Sequence, residues 1–238
     1  HEYTHILHLD MNKGEFSEYR KLLGKIPLIS TPNMLQPWWM IEGYPTYLES
    51  EYTNGGRGNN DIYSMYLRTA FNSNNVYEID QIHGKYDLNN WPSGGEAIYI
   101  YGLSLFSYIA EEYSEKKLIE ISQKFCSNPR YGINNTFKLV IGKSIDEVYR
   151  EWQKKMKTKI KKTKTHIKNN KITESKQLTN SGWYNRSLAV SPEGKISYIH
   201  SGDLFPSLRL IDKSGEDRHL VSLVSPAGER ISWSENGN

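Results

Sequence analysis

The sequence predicts an α+β, multidomain chain, mainly helical over residues 1–160, passing through a Lys/Asn-rich linker at 161–180 and turning strand-rich over 181–238. Three observations carry that expectation. Apolar and aromatic residues recur at helical spacing as far as Trp152. Residues 150–171 then hold ten Lys or Arg against a single acid, Glu151. Beyond them, short β-rich runs alternate with Gly-bearing turns. With 238 residues, 37% hydrophobic and 12% aromatic, the chain can build real cores.

The first element carries the most chemistry. His1-Glu2-Tyr3-Thr4-His5 reads H-E-x-x-H. On a helix the first and fifth positions share a face, so two imidazoles can take adjacent corners of one Zn²⁺ tetrahedron while Glu2 reaches toward the attacking water. That pattern proposes a zinc hydrolase in which Glu2 is general base and then general acid, and it calls for a third ligand. His8 and Asp10 lie near the same face, either as partners that orient a ligand imidazole or as a solvated helix end, the reading preferred here. The longer pattern H-E-x-x-H-x-x-G-x-x-H would need Gly at 8 and His at 11, where this chain has His8 and Met11. His83, His166, His200 and His219 show no ligand spacing and receive no chemistry.

The next element, Trp38 to Glu49, is an apolar stretch whose only acids are Glu42 and Glu49. A carboxylate among apolar neighbours is costly to bury unless it is paired or binds a metal, which makes Glu42 a candidate for the third ligand. The competing reading is that Glu42 opens a helix with Pro45 in its first turn. Gly55-Gly56-Arg57-Gly58-Asn59-Asn60 and Trp91-Pro92-Ser93-Gly94-Gly95 read as flexible loops, plain turns or edges of a cleft, and neither carries the Lys-Ser/Thr ending of a phosphate-binding loop. From Tyr99 to Ala110 the aromatics recur at helical spacing, as ordinary core would. Cys126 stands alone, so an intrachain disulfide is excluded and a buried small hydrophobe is the plain reading.

Ser144-Ile145-Asp146-Glu147 has the form of a capping box opening a helix through Tyr149, Trp152 and Met156. The formal charge of +3 originates in the basic run at 150–171, because the rest of the chain carries 20 basic and 26 acidic residues. A solvated helix leading into the linker is the reading adopted. Nucleic acid or anionic lipid as a partner is disfavoured, since aromatic interleaving stops at Trp152. No run of 18 apolar residues occurs, so no membrane span is expected in this piece.

In the last part, Ala189-Val190-Ser191-Pro192-Glu193-Gly194-Lys195 is echoed by Ser232-Trp233-Ser234-Glu235-Asn236-Gly237-Asn238, with Ser191 and Ser234 separated by 43 residues. Four short strands at a period of about 40 to 45 residues mark a β-propeller blade. One blade cannot bury its own faces, so the expectation is that the chain is cut at both ends from a longer protein.

His1-Glu2-Tyr3-Thr4-His5-Ile6-Leu7-His8 and Trp39 to Glu49 resemble the H-E-x-T-H-x-x-H and W-x-x-E-G-x-x-x-Y-x-E elements of gluzincin zinc metallopeptidases, most closely the bacterial peptidase-MA-like domain, with further likeness to Trp152. The resemblance implies a mainly α-helical zincin-type catalytic domain whose upstream sheet is missing, one Zn²⁺ per chain on His1, His5 and Glu42, and peptide or protein as substrate. By the Tyr-x-x-G match at Tyr99-Ile100-Tyr101-Gly102, it implies Tyr99 as the phenol that stabilises the oxyanion, with Tyr101 in reserve. The departures are the 36 residues between His5 and Glu42 and Pro45 in place of the usual Ala. The strand-rich part is similar to a TolB-type propeller, which implies a protein partner. Family members are often exported to the periplasm, the cell envelope or beyond. The competing class is an inactive peptidase-like scaffold whose propeller binds protein.

Overall fold

The structure is a computed structural model that describes residues 1–83, 94–170, 173–180, 185–201, 205–224 and 230–237. The fold is α+β, with eight α-helices and four strands among the described residues. It divides into two compact units, His1–Asn170 and Lys171–Asn238. The Trp91-Pro92-Ser93 part of the second loop, with Asn238 at the end of the repeated phrase, lies outside the described residues.

The helical unit runs α1 (Glu2–Leu9), α2 (Glu15–Leu23), α3 (Trp38–Tyr52), α4 (Asp61–Asn72), α5 (Gly94–Tyr113), α6 (Glu115–Ser127), α7 (Gly132–Ile141) and α8 (Ile145–Asn169). Its axis is α5, apolar on almost every side: Ala97, Ile98, Ile100, Tyr101, Leu105, Phe106 and Ile109 are all buried. A helix of that kind must be surrounded. Helix α3 covers one side through Trp39 and Tyr44, whose rings pack on Phe106. On another side stands an aromatic cluster in which Trp152 of α8 meets Phe71, Tyr101 and Tyr149. The polar ends of these rings are satisfied: Trp152 Nε1 donates to Ser104 Oγ at 2.9 Å and the Tyr149 hydroxyl to the Tyr77 carbonyl at 2.6 Å.

The closest approach in the unit is α3 against α5. A Cβ built on Gly43 would lie 2.5 Å from the Gly102 Cα, and one built on Gly102 would lie 2.6 Å from the Gly43 Cα and press on the Trp39 carbonyl. The two backbones touch there because neither residue has a side chain.

Two sequence expectations change here. Helix α3 begins at Trp38, so Glu42 lies in its second turn and Pro45 in its interior, and the reading in which Glu42 merely opens a helix falls. Pro45 removes one helical N–H, while Thr46 Oγ1 donates to the Glu42 carbonyl at 2.7 Å. Helix α8 starts at the expected box, with Glu147 N donating to Ser144 Oγ at 3.2 Å and Ser144 N to Glu147 Oε2 at 2.7 Å. It continues to Asn169, so residues 161–169 of the expected linker are helical. Nothing in the run Lys161–Lys168 breaks a helix, and Ile160 is buried on its inner face.

The second unit is an antiparallel meander in the order β1 (Asn185–Val190), β2 (Ile196–His200), β3 (Ser207–Ile211), β4 (Asp217–Ser222). The β1–β2 and β3–β4 turns share one chemistry. Gly194 N donates to the Ser191 carbonyl and Gly215 N to that of Asp212, each glycine having φ above +80°. Gly237 N donates to the Ser234 carbonyl in the same way, and Trp233 Nε1 reaches the Ala189 carbonyl at 3.3 Å.

Gly102→Ala will test the helix crossing. Overpacking costs about 1–3 kcal/mol and outweighs a helix-propensity gain of at most about 1 kcal/mol. Gly55→Ala, where a Cβ meets nothing within 4 Å, changes stability by less than about 0.5 kcal/mol. Urea titrations followed by circular dichroism compare the two variants.

Candidate metal centre

The site is assembled from α1, α3 and α5. Helix α1 places His1, His5 and His8 on one face, and it is this face that turns inward, leaving Tyr3, Ile6 and Leu7 exposed. His8 anchors the helix. It is 1% exposed, its Nε2 lies 3.1 Å from Ser122 Oγ, its ring packs edge-on to Tyr44, and its carbonyl accepts from the buried Asn33 side chain at 2.9 Å. The solvated helix end expected for His8 is thereby corrected: once His1 and His5 face α3, the residue seven places after His1 must be buried with them. Asp10 is half-buried in ion pairs with Arg20 and Lys25 at 2.9 and 2.7 Å, and among the described residues it orients no imidazole.

His1, His5 and Glu42 converge. His1 Nε2 and His5 Nε2 are 3.1 Å apart, and they lie 3.4 and 3.3 Å, respectively, from Glu42 Oε2. A tetrahedral zinc with ligand bonds of about 2.0–2.2 Å has ligand–ligand edges of roughly 3.3–3.6 Å, so the triangle has the size of one face of such a site. The donor set fits as well. An imidazole nitrogen either carries a proton or presents one lone pair, so protons alone satisfy at most two sides of this triangle. A cation at the centre satisfies all three.

Helix α3 contributes a second carboxylate. Glu49 stands seven residues after Glu42, on the same face two turns along. Its Oε2 lies 3.0 Å from His1 Nδ1, an ion-pair approach and not a linear hydrogen bond. The His1 ring therefore spans two carboxylates, one at each nitrogen, and Glu49 favours the proton on Nδ1 that leaves Nε2 free as a ligand. The corresponding Nδ1 of His5 is buried with no hydrogen-bond partner among the described residues. Sequence reasoning assigns Glu49 no role, although its place as the second acid of an apolar stretch is a signal.

Tyr99 lies at the edge of the site, its ring centre 6.1 Å from that of His1. Burial, then the charge of Glu42 and a hydrogen bond to it, raise its phenol above the ordinary value against the opposing Arg57 charge. Tyr101 faces the other way: it is 1% exposed, packs on Trp152, and its hydroxyl accepts from Tyr77 N at 3.3 Å. Glu2 is exposed, on the flank of α1 next to His1, and among the described residues it makes no hydrogen bond or ion pair.

Comparison with known protein families, curated proteins and solved structures finds no match for this chain.

His8 gives the site a pH signature. Burial, reinforced by the charge of His5, lowers its pKa from 6.5 to about 4. The unfolded chain binds the proton more readily, so the contribution of neutral His8 is present above pH 6.5 and is lost as pH falls toward 4, with a slope of up to about 1.4 kcal/mol per unit. Urea midpoints measured from pH 7 to pH 4.5 will show this acid slope in the wild type and a flatter one in His8→Gln.

Proposed function

We propose that the protein is a zinc-dependent peptidase that hydrolyses peptide bonds, and the single observation carrying the proposal is the convergence of His1 Nε2, His5 Nε2 and Glu42 Oε2 at tetrahedral edge distances. Zinc held by His1, His5 and Glu42 would have three protein ligands, the number found in catalytic and not structural zinc sites. Zinc held there supplies Lewis acidity, polarising a carbonyl and bringing the pKa of water to about 7.

The rest is done by side chains of the chain itself. Glu49 holds His1 with Nε2 turned inward. Glu2, solvent-exposed on the flank of α1 next to His1, takes the proton of the attacking water and passes it to the leaving amine as the C–N bond breaks. The Tyr99 phenol, at the edge of the site, donates a hydrogen bond to the oxygen on which negative charge grows. Exposure suits Glu2 for this role, because it must exchange protons with substrate and solvent.

On the same reading the helical unit is the zincin-type catalytic part, and the four-stranded meander is the first blade of a TolB-type propeller that binds a protein partner. Two features support the blade: the meander order of its strands, and the return of the Ser-x-x-Gly turn at Ser234–Gly237, 43 residues after Ser191.

Metal analysis of the purified chain is expected to give about one zinc per chain, lost in Glu42→Ala; absence of zinc from the wild type would leave the scaffold reading instead. Glu2→Gln is expected to keep the zinc and lose about 10²–10⁴-fold in kcat/KM against a quenched peptide library. Equal cleavage by wild type and Glu2→Gln at matched zinc content would remove Glu2 from the mechanism.

A further inference from the structure

The loop after α3, read from sequence as a flexible turn, is packed against the end of that helix. A Cβ on Gly56 would overlap the Ser50 backbone, a Cβ on Gly58 would lie 2.7 Å from Ser50 Oγ, and Gly58 N donates to that hydroxyl at 2.8 Å. Asn59 Nδ2 closes the loop with bonds to the Ser50 and Thr53 carbonyls, both 3.0 Å. Glycines at 56 and 58 let the backbone come this close, and the residue between them is thereby delivered to the site.

That residue is Arg57. Its backbone N–H donates to Glu49 Oε1 at 3.2 Å, and its Nε lies 3.2 Å from the same oxygen. The guanidinium carbon stands 4.8 Å from the centre of the Tyr99 ring. Glu49 is thus shared, with one oxygen on Arg57 and the other 3.0 Å from His1 Nδ1. We propose that Arg57 is a positioning residue of the metal centre: it locks Glu49 in the orientation that faces His1 and seats the Tyr99 ring, so one loop residue ties the imidazole side of the site to the phenol side.

The inference rests on the zinc reading of His1, His5 and Glu42. A glutamate side chain held only by an imidazole and one backbone N–H keeps rotamer freedom that the Arg57 guanidinium, on the same oxygen, removes. The guanidinium also compensates the second of two carboxylates on one helix face, and its stacking on Tyr99 restrains the ring.

Arg57→Ala has two opposed consequences for zinc. Deleting a positive charge near a dication tightens binding on Coulomb grounds, whereas releasing Glu49 from its orientation weakens it. The sign of the change therefore separates a positioning role from a purely electrostatic one. Zinc dissociation constants of the full chain, measured by competition with a chromophoric chelator, are expected to weaken about tenfold in Arg57→Ala at unchanged stoichiometry, with partial recovery in Arg57→Lys. The visible absorption of the Co²⁺-substituted protein should shift in Arg57→Ala as the ligand geometry relaxes. Unchanged or tighter zinc binding in Arg57→Ala would overturn the positioning role. If wild type binds zinc, Glu42→Ala does not, and Arg57→Ala equals wild type, only the Arg57 inference falls. If wild type binds none, the zinc reading falls and takes this one with it. A further measurement needs neither metal nor the alanine variant: in the metal-free protein the Arg57 Hδ protons are expected upfield by NMR through the Tyr99 ring current, and back at ordinary positions in Tyr99→Leu. Ordinary positions already in the wild type would equally overturn the proposal.

Discussion

The contact of backbone with backbone at Gly43 and Gly102 is the constraint from which the geometry of the helical unit derives. Close packing leaves two helices no freedom to separate without opening a void, and here no side chain stands between α3 and α5 at their crossing. Glu42 is the residue before one of these glycines, and Tyr99 lies one turn before the other. The carboxylate of the candidate ligand set and the phenol at its edge are therefore fixed by one steric contact. A methyl group at either glycine would press on the facing backbone and force apart the two helices that carry the carboxylate and the phenol.

Around that crossing the polar groups are arranged in sequence-distant pairs. The His1 ring bridges two carboxylates on α3, and the second carboxylate is shared with Arg57, which covers Tyr99. Half-buried charges are costly when alone: Glu49 is paired with Arg57 at 3.2 Å, and Glu42 lies within 3.4 Å of two imidazole nitrogens. Helix α1 turns its histidines inward and leaves Tyr3, Ile6 and Leu7 exposed, an inversion of the usual amphipathic helix. What offsets that cost is local: His8 fills a buried position against Tyr44 and Ser122.

The strand-rich unit is organised by turns. Three of them end in a glycine at positive φ whose N–H returns to the carbonyl of the residue three places before it. The same device appears at Ser191, Asp212 and Ser234, and the middle one is further held by Asp212 Oδ1, which accepts from Ser214 N and Glu216 N at 2.8 and 3.2 Å. Within the sheet, Asp217 receives both the Tyr198 hydroxyl and Arg209 Nε, so a polar knot fastens β2, β3 and β4 together.

The features that the sequence determined by itself are those encoded at short range. The H-E-x-x-H spacing puts two imidazoles on one helical face, the Ser144–Glu147 box starts α8, and Gly194, Gly215 and Gly237 mark turns, all because i+3, i+4 and tight-turn relations need no distant partner. Glu42 is legible as an acid stranded among apolar residues, but only the start of α3 at Trp38 decides that it does not open a helix. The tertiary structure alone decided the rest. Which face of α1 turns inward depends on the space beside Ser122 and Tyr44. The approach of Arg57 to Glu49 depends on a loop folding back onto Ser50, and that Tyr99 and not Tyr101 borders the His1–His5–Glu42 cluster depends on how α5 is rotated under α3 by the meeting of Gly43 and Gly102. Most of those contacts join residues tens of positions apart, and no local pattern of spacing or charge encodes which of several apolar faces will find its complement.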